Sequence, residues 1–270
     1  MKTPTLALLA ASLLSACAAT PGAGPSLDAA IASADRTPAY VERDKYRHPK
    51  QTLEFFGLKP DQTVVEVWPS RGWYTEILAP YLRQRGQYYA AGFAISAEDT
   101  PKYQRDITVD LANKLAERPD LYSGVTVSEL GKPDRWTACA PGSADLVVTF
   151  RNVHNWLAGD FENEMFKAFY TALKPGGVLG VVEHRAKPGT SREQMKESGY
   201  VTEAYVIELA QKAGFKLEAK SEVNANPKDT KDHPEGVWTL PPSFALKDKD
   251  RDKYAATGES DRMTLRFVKK

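Results

Sequence analysis

Between Thr63 and Tyr74 the chain reads Thr-Val-Val-Glu-Val-Trp-Pro-Ser-Arg-Gly-Trp-Tyr. A β-type apolar run, Thr63 to Val67, carries one acidic residue, Glu66. The run breaks at Pro69, turns at Gly72 and passes into a helical pattern from Trp73. Strand, tight turn and helix start in this order bring a ligand against backbone N–H groups at a helix N-terminus.

The rest of the chain repeats the alternation. Further strand-type runs cover 87–93, 125–130, 144–150, 178–182, 215–223 and 264–268. Helical patterns cover 27–34, 49–56, 73–82, 108–118, 161–173 and 202–213, with Pro80 set to end or kink the third of these. Five alternations of strand and helix predict an α/β, doubly wound, mostly parallel sheet. No helical pattern is long enough to cross between the last two strands, so they should form an antiparallel hairpin. The segment between them, 226–261, is long, charged and Pro-rich, which suits a lid or a partly disordered connection, with Trp238 to Pro242 as its apolar anchor.

The N-terminus reads as a targeting segment. A basic start, an apolar stretch from Leu6 to Leu14 too short to span a bilayer, and Leu14-Ser15-Ala16-Cys17 resemble the lipobox of bacterial lipoproteins. That resemblance implies a signal peptide over 1–16, a lipidated Cys17 and a tether over 17–26. Ala18 after the Cys favours the outer membrane, facing the periplasm. A helical arm over 27–62 and a main domain over 63–270 follow. Acylation of Cys17 leaves Cys139 without an intrachain disulfide partner. A net charge of +1 over 270 residues provides no broad basic surface for nucleic acid. The sequence leaves the oligomeric state open.

Ligands of open parallel sheets bind beyond the carboxyl ends of the strands, where the strand order reverses. The residues just after the strands therefore form the candidate site: Trp68 to Tyr74, Phe93 with Ala94, Glu129 with Leu130, Arg151 to Trp156 and Glu183 to Arg185. His48, His154 and His184 lie in or near this set. Histidine is the side chain whose ordinary titration lies nearest neutrality, which makes His154 and His184 the general-base candidates, and Tyr46 with His48 is placed on the acceptor side. The spacing of His48, His154 and His184 with Glu183 or Glu66 is not diagnostic of a metal site, and no metal is expected.

Val64-Val65-Glu66 with its turn and Gly72, Asp145 opening a strand, and Leu173-Lys174-Pro175-Gly176-Gly177 before the next resemble the class I, Rossmann-like S-adenosylmethionine-dependent methyltransferases. Arg43 to Pro49, Phe55 to Leu58, Gly72 to Pro80 and Val153 to Trp156 are similar to a group of exported bacterial predicted methyltransferases. The resemblance implies a seven-stranded sheet with an antiparallel last strand inserted beside the fifth. It implies S-adenosylmethionine as cofactor and a small-molecule or envelope-associated acceptor. It places Glu66, Trp68, Ser70, Gly72, Trp73, Tyr74, Phe93, Asn152 and Asn155 around the cofactor. Trp68, Ser70 and Gly72 stand where the family has three glycines, so two are replaced. The acidic residue usual at the end of the second strand is replaced by Gly92-Phe93-Ala94, with Asp99 as a late substitute. A non-catalytic descendant of the fold, binding a small molecule or a protein partner in the same cleft, is the other reading.

Overall fold

A computed structural model describes residues 24–95 and 100–270. Four short helices open it: α1 (Leu27–Ile31), α2 (Pro38–Val41), α3 (Asp44–Arg47) and α4 (Pro49–Phe55). Then follow β1 (Thr63–Val67), α5 (Thr75–Leu82), β2 (Gln87–Phe93), α6 (Lys102–Glu117), α7 (Pro119–Tyr122), β3 (Val125–Leu130) and β4 (Ala144–Phe150). The second half carries α8 (Val153–Ala158), α9 (Glu162–Ala172), β5 (Leu173–His184), α10 (Arg192–Ser198), α11 (Glu203–Lys212), β6 (Phe215–Ser221), α12 (Arg251–Thr257) and β7 (Arg262–Lys269). Cys17 and Asp99 lie outside the described residues.

The strands form a seven-stranded sheet in the order β3-β2-β1-β4-β5-β7-β6. β1 to β5 pair in parallel, while β7 runs antiparallel to both β5 and β6. The hairpin and the insertion of the last strand beside the fifth are both as expected from the sequence. Strand order reverses between β1 and β4, which opens the ligand crevice at their carboxyl ends. Asp145 ties the opposite end of the sheet together: it accepts the Thr63 N–H at 2.8 Å and pairs with Lys174 at 2.7 Å.

The near-continuous apolar runs of β1 and β4 follow from burial on both faces. Val65, Val67 and Val147 point to a core built with Trp156, Phe166, Phe169 and Leu209. Val64, Leu146 and Val148 point the other way, to Ile77, Leu78 and Leu82 of α5 and to Leu53 and Phe56. The N-terminal segment is thus part of the second core: the Phe56 ring lies over Gly180 of β5, where a Cβ would stand 2.6 Å from it.

Some boundaries differ from expectation. Helix α6 begins at Lys102 and not at Thr108, because its first turns are polar and carry no apolar period. Helix α5 runs on through Pro80 for two residues and stops at Leu82. Segment 226–261 is an ordered strap. Its Asp229 is buried and accepts the Tyr200 hydroxyl at 2.9 Å, His233 Nε2 at 2.8 Å and the backbone N–H of Asp261 at 2.8 Å. A short 3₁₀ turn, Gly236–Thr239, then carries Val237 and Trp238 over the crevice.

Candidate cofactor and acceptor cleft

A cleft of about 430 Å³ lies beyond the ends of β1, β4 and β5. Its floor is the β1–α5 turn with Phe93, one wall is Arg151 to Asn155, and the N-terminal segment and the strap close the other sides. The structure brings Glu66, Trp68, Ser70, Trp73, Tyr74 and Phe93 to this cleft, and with them Asn152, His154, Asn155 and His184.

The turn keeps a glycine-type backbone without the glycines. Trp68, Ser70 and Gly72 have φ of 50°, 55° and 85°. The left-handed region costs a side-chain-bearing residue about 1–2 kcal/mol, so Trp68 and Ser70 are held there by their surroundings. The Trp68 N–H donates to the Ala91 carbonyl at 2.8 Å. Asn152 Nδ2 donates to the Val67 carbonyl at 2.9 Å and to that of Trp68 at 3.4 Å. Gly72 sits behind the turn, and a Cβ there would meet Leu111 at 3.1 Å.

Only 7% of Trp68 is exposed. Its indole N–H donates to the Leu130 carbonyl at 2.7 Å, and its ring packs on Phe93 (centroids 4.5 Å apart), Trp156 (5.7 Å) and Phe161 (6.0 Å). The indole is therefore turned into the first core and offers the cleft an apolar floor beside Phe93. On the other side, the Tyr74 ring stacks on Phe150 at 3.6 Å.

Glu66 is buried under the turn. It accepts the Tyr88 hydroxyl at 2.5 Å and the Thr75 hydroxyl at 3.2 Å. Burial pushes its carboxyl up to about 7, against the pull of those two hydroxyls and of Arg151.

At the end of β5, Glu183 is fully buried and accepts from four groups: the Val153 N–H (2.6 Å), the His154 N–H (3.3 Å), the His184 N–H (2.8 Å) and His154 Nδ1 (3.0 Å). A carboxylate only accepts, so the pairing places the imidazole proton on Nδ1 and leaves Nε2 as the basic nitrogen. His184 Nδ1 meets the Ser260 hydroxyl at 2.5 Å. Burial, then the neighbouring His154, Arg151, Arg262 and Arg47, push His184 well below its ordinary range, so it stays neutral. Ligand atoms of His154, Glu183 and His184 lie within 4.8 Å of one another. Because Glu183 is already saturated with donors and arginines stand beside the pair, the arrangement suits proton transfer better than a cation.

The arginines were not foreseen as a group. Arg43, Arg47 and Arg262 converge on Glu259 at 2.6, 3.2 and 3.1 Å. Burial works to raise the Glu259 carboxyl, but Arg47, Arg262, Arg151 and Arg43 together outweigh it and hold the group at about 2. Arg43 caps the one-turn helix α3 and Arg47 ends it, a helix too short to show a periodic face in the sequence. Glu259 and Ser260 lie in the strap and left no local signal.

Tyr46 and His48, expected on the acceptor side, are placed elsewhere. Neither lines this cleft; both face a separate cavity of about 190 Å³ with Lys45, Asn224, Asn226 and Gly258. The Tyr46 ring packs beneath Gly258, 2.8 Å from where a Cβ would stand, so the same short segment sends its arginines to one cavity and its Tyr and His to another.

No family model and no curated protein matches the chain. Solved structures do. A SAM-dependent methyltransferase from Aquifex aeolicus is 16% identical over 86% of this chain and 93% of its own, with a TM-score of 0.54. A geranyl diphosphate methyltransferase in complex with SAM is 12% identical over 90% and 95%, with a TM-score of 0.53. The fold is that of the class I methyltransferases. The same fold also carries other chemistry: the cyclase SpnF is 16% identical over 87% and 84%, with a TM-score of 0.53. Activity must therefore be argued from the cleft.

Proposed function

We propose that the chain is an S-adenosylmethionine-dependent methyltransferase acting on a small or envelope-associated acceptor whose reacting group carries a proton. The observation that carries this reading is the left-handed backbone at 68, 70 and 72, a strained conformation kept in a cofactor-type turn after two glycines are gone. The cleft volume lies within the range of small-ligand sites. Turn residues 68–72 would hold the cofactor against the apolar floor of Trp68 and Phe93, with Asn152 and Asn155 at its side. When bound, S-adenosylmethionine supplies an electrophilic methyl group on a sulfonium.

The chain's own contribution is alignment and one proton acceptor. Glu183 orients His154, whose Nε2 takes the acceptor's proton as its heteroatom becomes a nucleophile. His184, neutral and held by Ser260, completes the polar wall without adding charge. Trp238 and Val237 of the strap shield the cleft from water. We further place the protein in a bacterial envelope, lipid-anchored through Cys17 and facing the periplasm, on the strength of the lipobox-like segment.

Calorimetric titration with S-adenosylmethionine and S-adenosylhomocysteine tests the reading. Absence of binding at millimolar ligand would sink it. With binding in hand, His154→Ala should leave cofactor affinity unchanged and lower turnover roughly 100- to 10,000-fold. Full turnover in that variant would remove His154 from the mechanism.

A further inference from the structure

The charge around the cleft does not balance. Arg43, Arg47, Arg71 and Arg151 line it, and Arg262 stands behind. Arg71 is paired at the rim with Asp110 at 2.7 Å. Arg43, Arg47 and Arg262 share the single carboxylate of Glu259. Glu66, the other carboxyl lining the cleft, is pushed up to about 7 by burial and spends its oxygen on two hydroxyls.

Arg151 is left over. Among the described residues its guanidinium has no hydrogen-bond or ion-pair partner, although it lines the cleft. Burial, then Arg262, push it down to about 10, and Arg47 beside it is pushed down by burial and then by Arg151. Glu259 offsets this on both, but its one carboxylate is already paired with Arg43, Arg47 and Arg262 and makes no ion pair with Arg151. Nor is the position of Arg151 an accident of a loose loop. Its φ is 61°, and its N–H donates to the Val182 carbonyl at 2.7 Å, so the chain holds an unfavourable backbone conformation with this side chain in the cleft. Arg151 is half-buried, and a partly desolvated cation without a partner is costly; its planar guanidinium fork matches a carboxylate or phosphate edge through two parallel N–H bonds.

We propose that Arg151, with Arg47 and Arg43 beside it, binds an oxyanion, and that the methyl acceptor is a small molecule carrying a carboxylate or phosphate group away from the atom that is methylated. This rests on the methyltransferase reading for the word acceptor, but not for the anion site itself. Arg151 and His154 leave the same strand end three residues apart and line the same cleft. An acceptor held by its anionic end on Arg151 therefore presents its other end to the His154 side. A recognition anion also explains why the strap carries Glu259 near its end: the carboxylate keeps three arginines assembled while leaving the fourth for the ligand.

The test uses the full chain, inorganic phosphate as the anion, and S-adenosylhomocysteine as the cofactor probe. At constant ionic strength made up with chloride, phosphate should raise the thermal unfolding midpoint of the wild type and saturate at millimolar concentration. Arg151→Gln should need at least roughly tenfold more phosphate for the same rise, with Arg151→Lys, which keeps the charge and loses the fork, in between. Both variants should bind S-adenosylhomocysteine as the wild type does. A phosphate response that is absent, or unchanged in Arg151→Gln, overturns the anion site whatever the cofactor probe shows. A parallel loss of S-adenosylhomocysteine affinity in Arg151→Gln assigns Arg151 to the cofactor's own carboxylate and overturns the acceptor assignment. An Arg151-dependent phosphate response without cofactor binding upholds the anion site and defeats the methyltransferase reading. Arg151→Gln breaks no hydrogen bond or ion pair among the described residues, so it should fold; if it does not, the wild-type and Arg151→Lys curves decide the matter.

Discussion

Glu66 shows how much one buried carboxyl can report. In the unfolded chain it ionises in the ordinary Glu range, near 4.5, and in the fold near 7, because burial outweighs its two hydroxyl donors. The folded chain therefore binds the extra proton, and the stability this group contributes is present below about pH 4.5 and lost as pH rises through about 7. The loss amounts to about 3 kcal/mol across that window. Glu66→Gln keeps an acceptor for Tyr88 and Thr75 and has no charge to bury. Urea unfolding should find the variant gaining on the wild type between pH 4.5 and 7 and holding a constant lead above; a difference independent of pH contradicts the burial. The sequence marked Glu66 because it interrupts an apolar run, and His154 and His184 because each follows or ends one. It did not mark the guanidinium cluster, whose partners Arg43 and Glu259 are 216 residues apart and meet only through the fold.

Elements were more legible than side chains. Strands β1, β2, β3 and β4 begin and end at the residues predicted for them, since turn residues bracket each strand-type run. One-turn helices such as α2 and α3 were not legible, because four residues carry no period. The docking of the N-terminal segment was equally hidden: Phe56 finds its place only because β5 has Gly180 opposite it. Gly180→Ala should cost about 1–3 kcal/mol by overpacking against that ring. In a double-mutant cycle with Phe56→Ala, each change should be milder in the presence of the other. Additive losses would mean that ring and glycine do not share the site.

At the scale of the whole molecule, the resemblance read from motifs led to the right topology, including the last strand beside the fifth, while the bulk charge of +1 concealed a cleft rich in arginine. The proposed lipid anchor would fix where in the cell the cleft meets its ligand. Expressed in a lipoprotein-processing bacterium, the wild type should fractionate with membranes and Cys17→Ser with the soluble periplasm; equal membrane retention of both would dismiss the anchor.

The strap has its two feet tied together. Asp229, near its start, accepts from the backbone of Asp261 at its end, 32 residues later, and Asp261 is itself clamped by Arg185 at 2.9 Å and Lys231 at 2.7 Å. A loop closed at the neck hangs from the sheet as a replaceable cassette: its interior can be exchanged without reopening the strand pairs beneath it. Since that interior carries Trp238, Pro241 and Pro242 against the cleft, selection can rework what the pocket admits there, provided Glu259 near the neck is kept to hold the arginines, while the His154–Glu183 pair stays where it is.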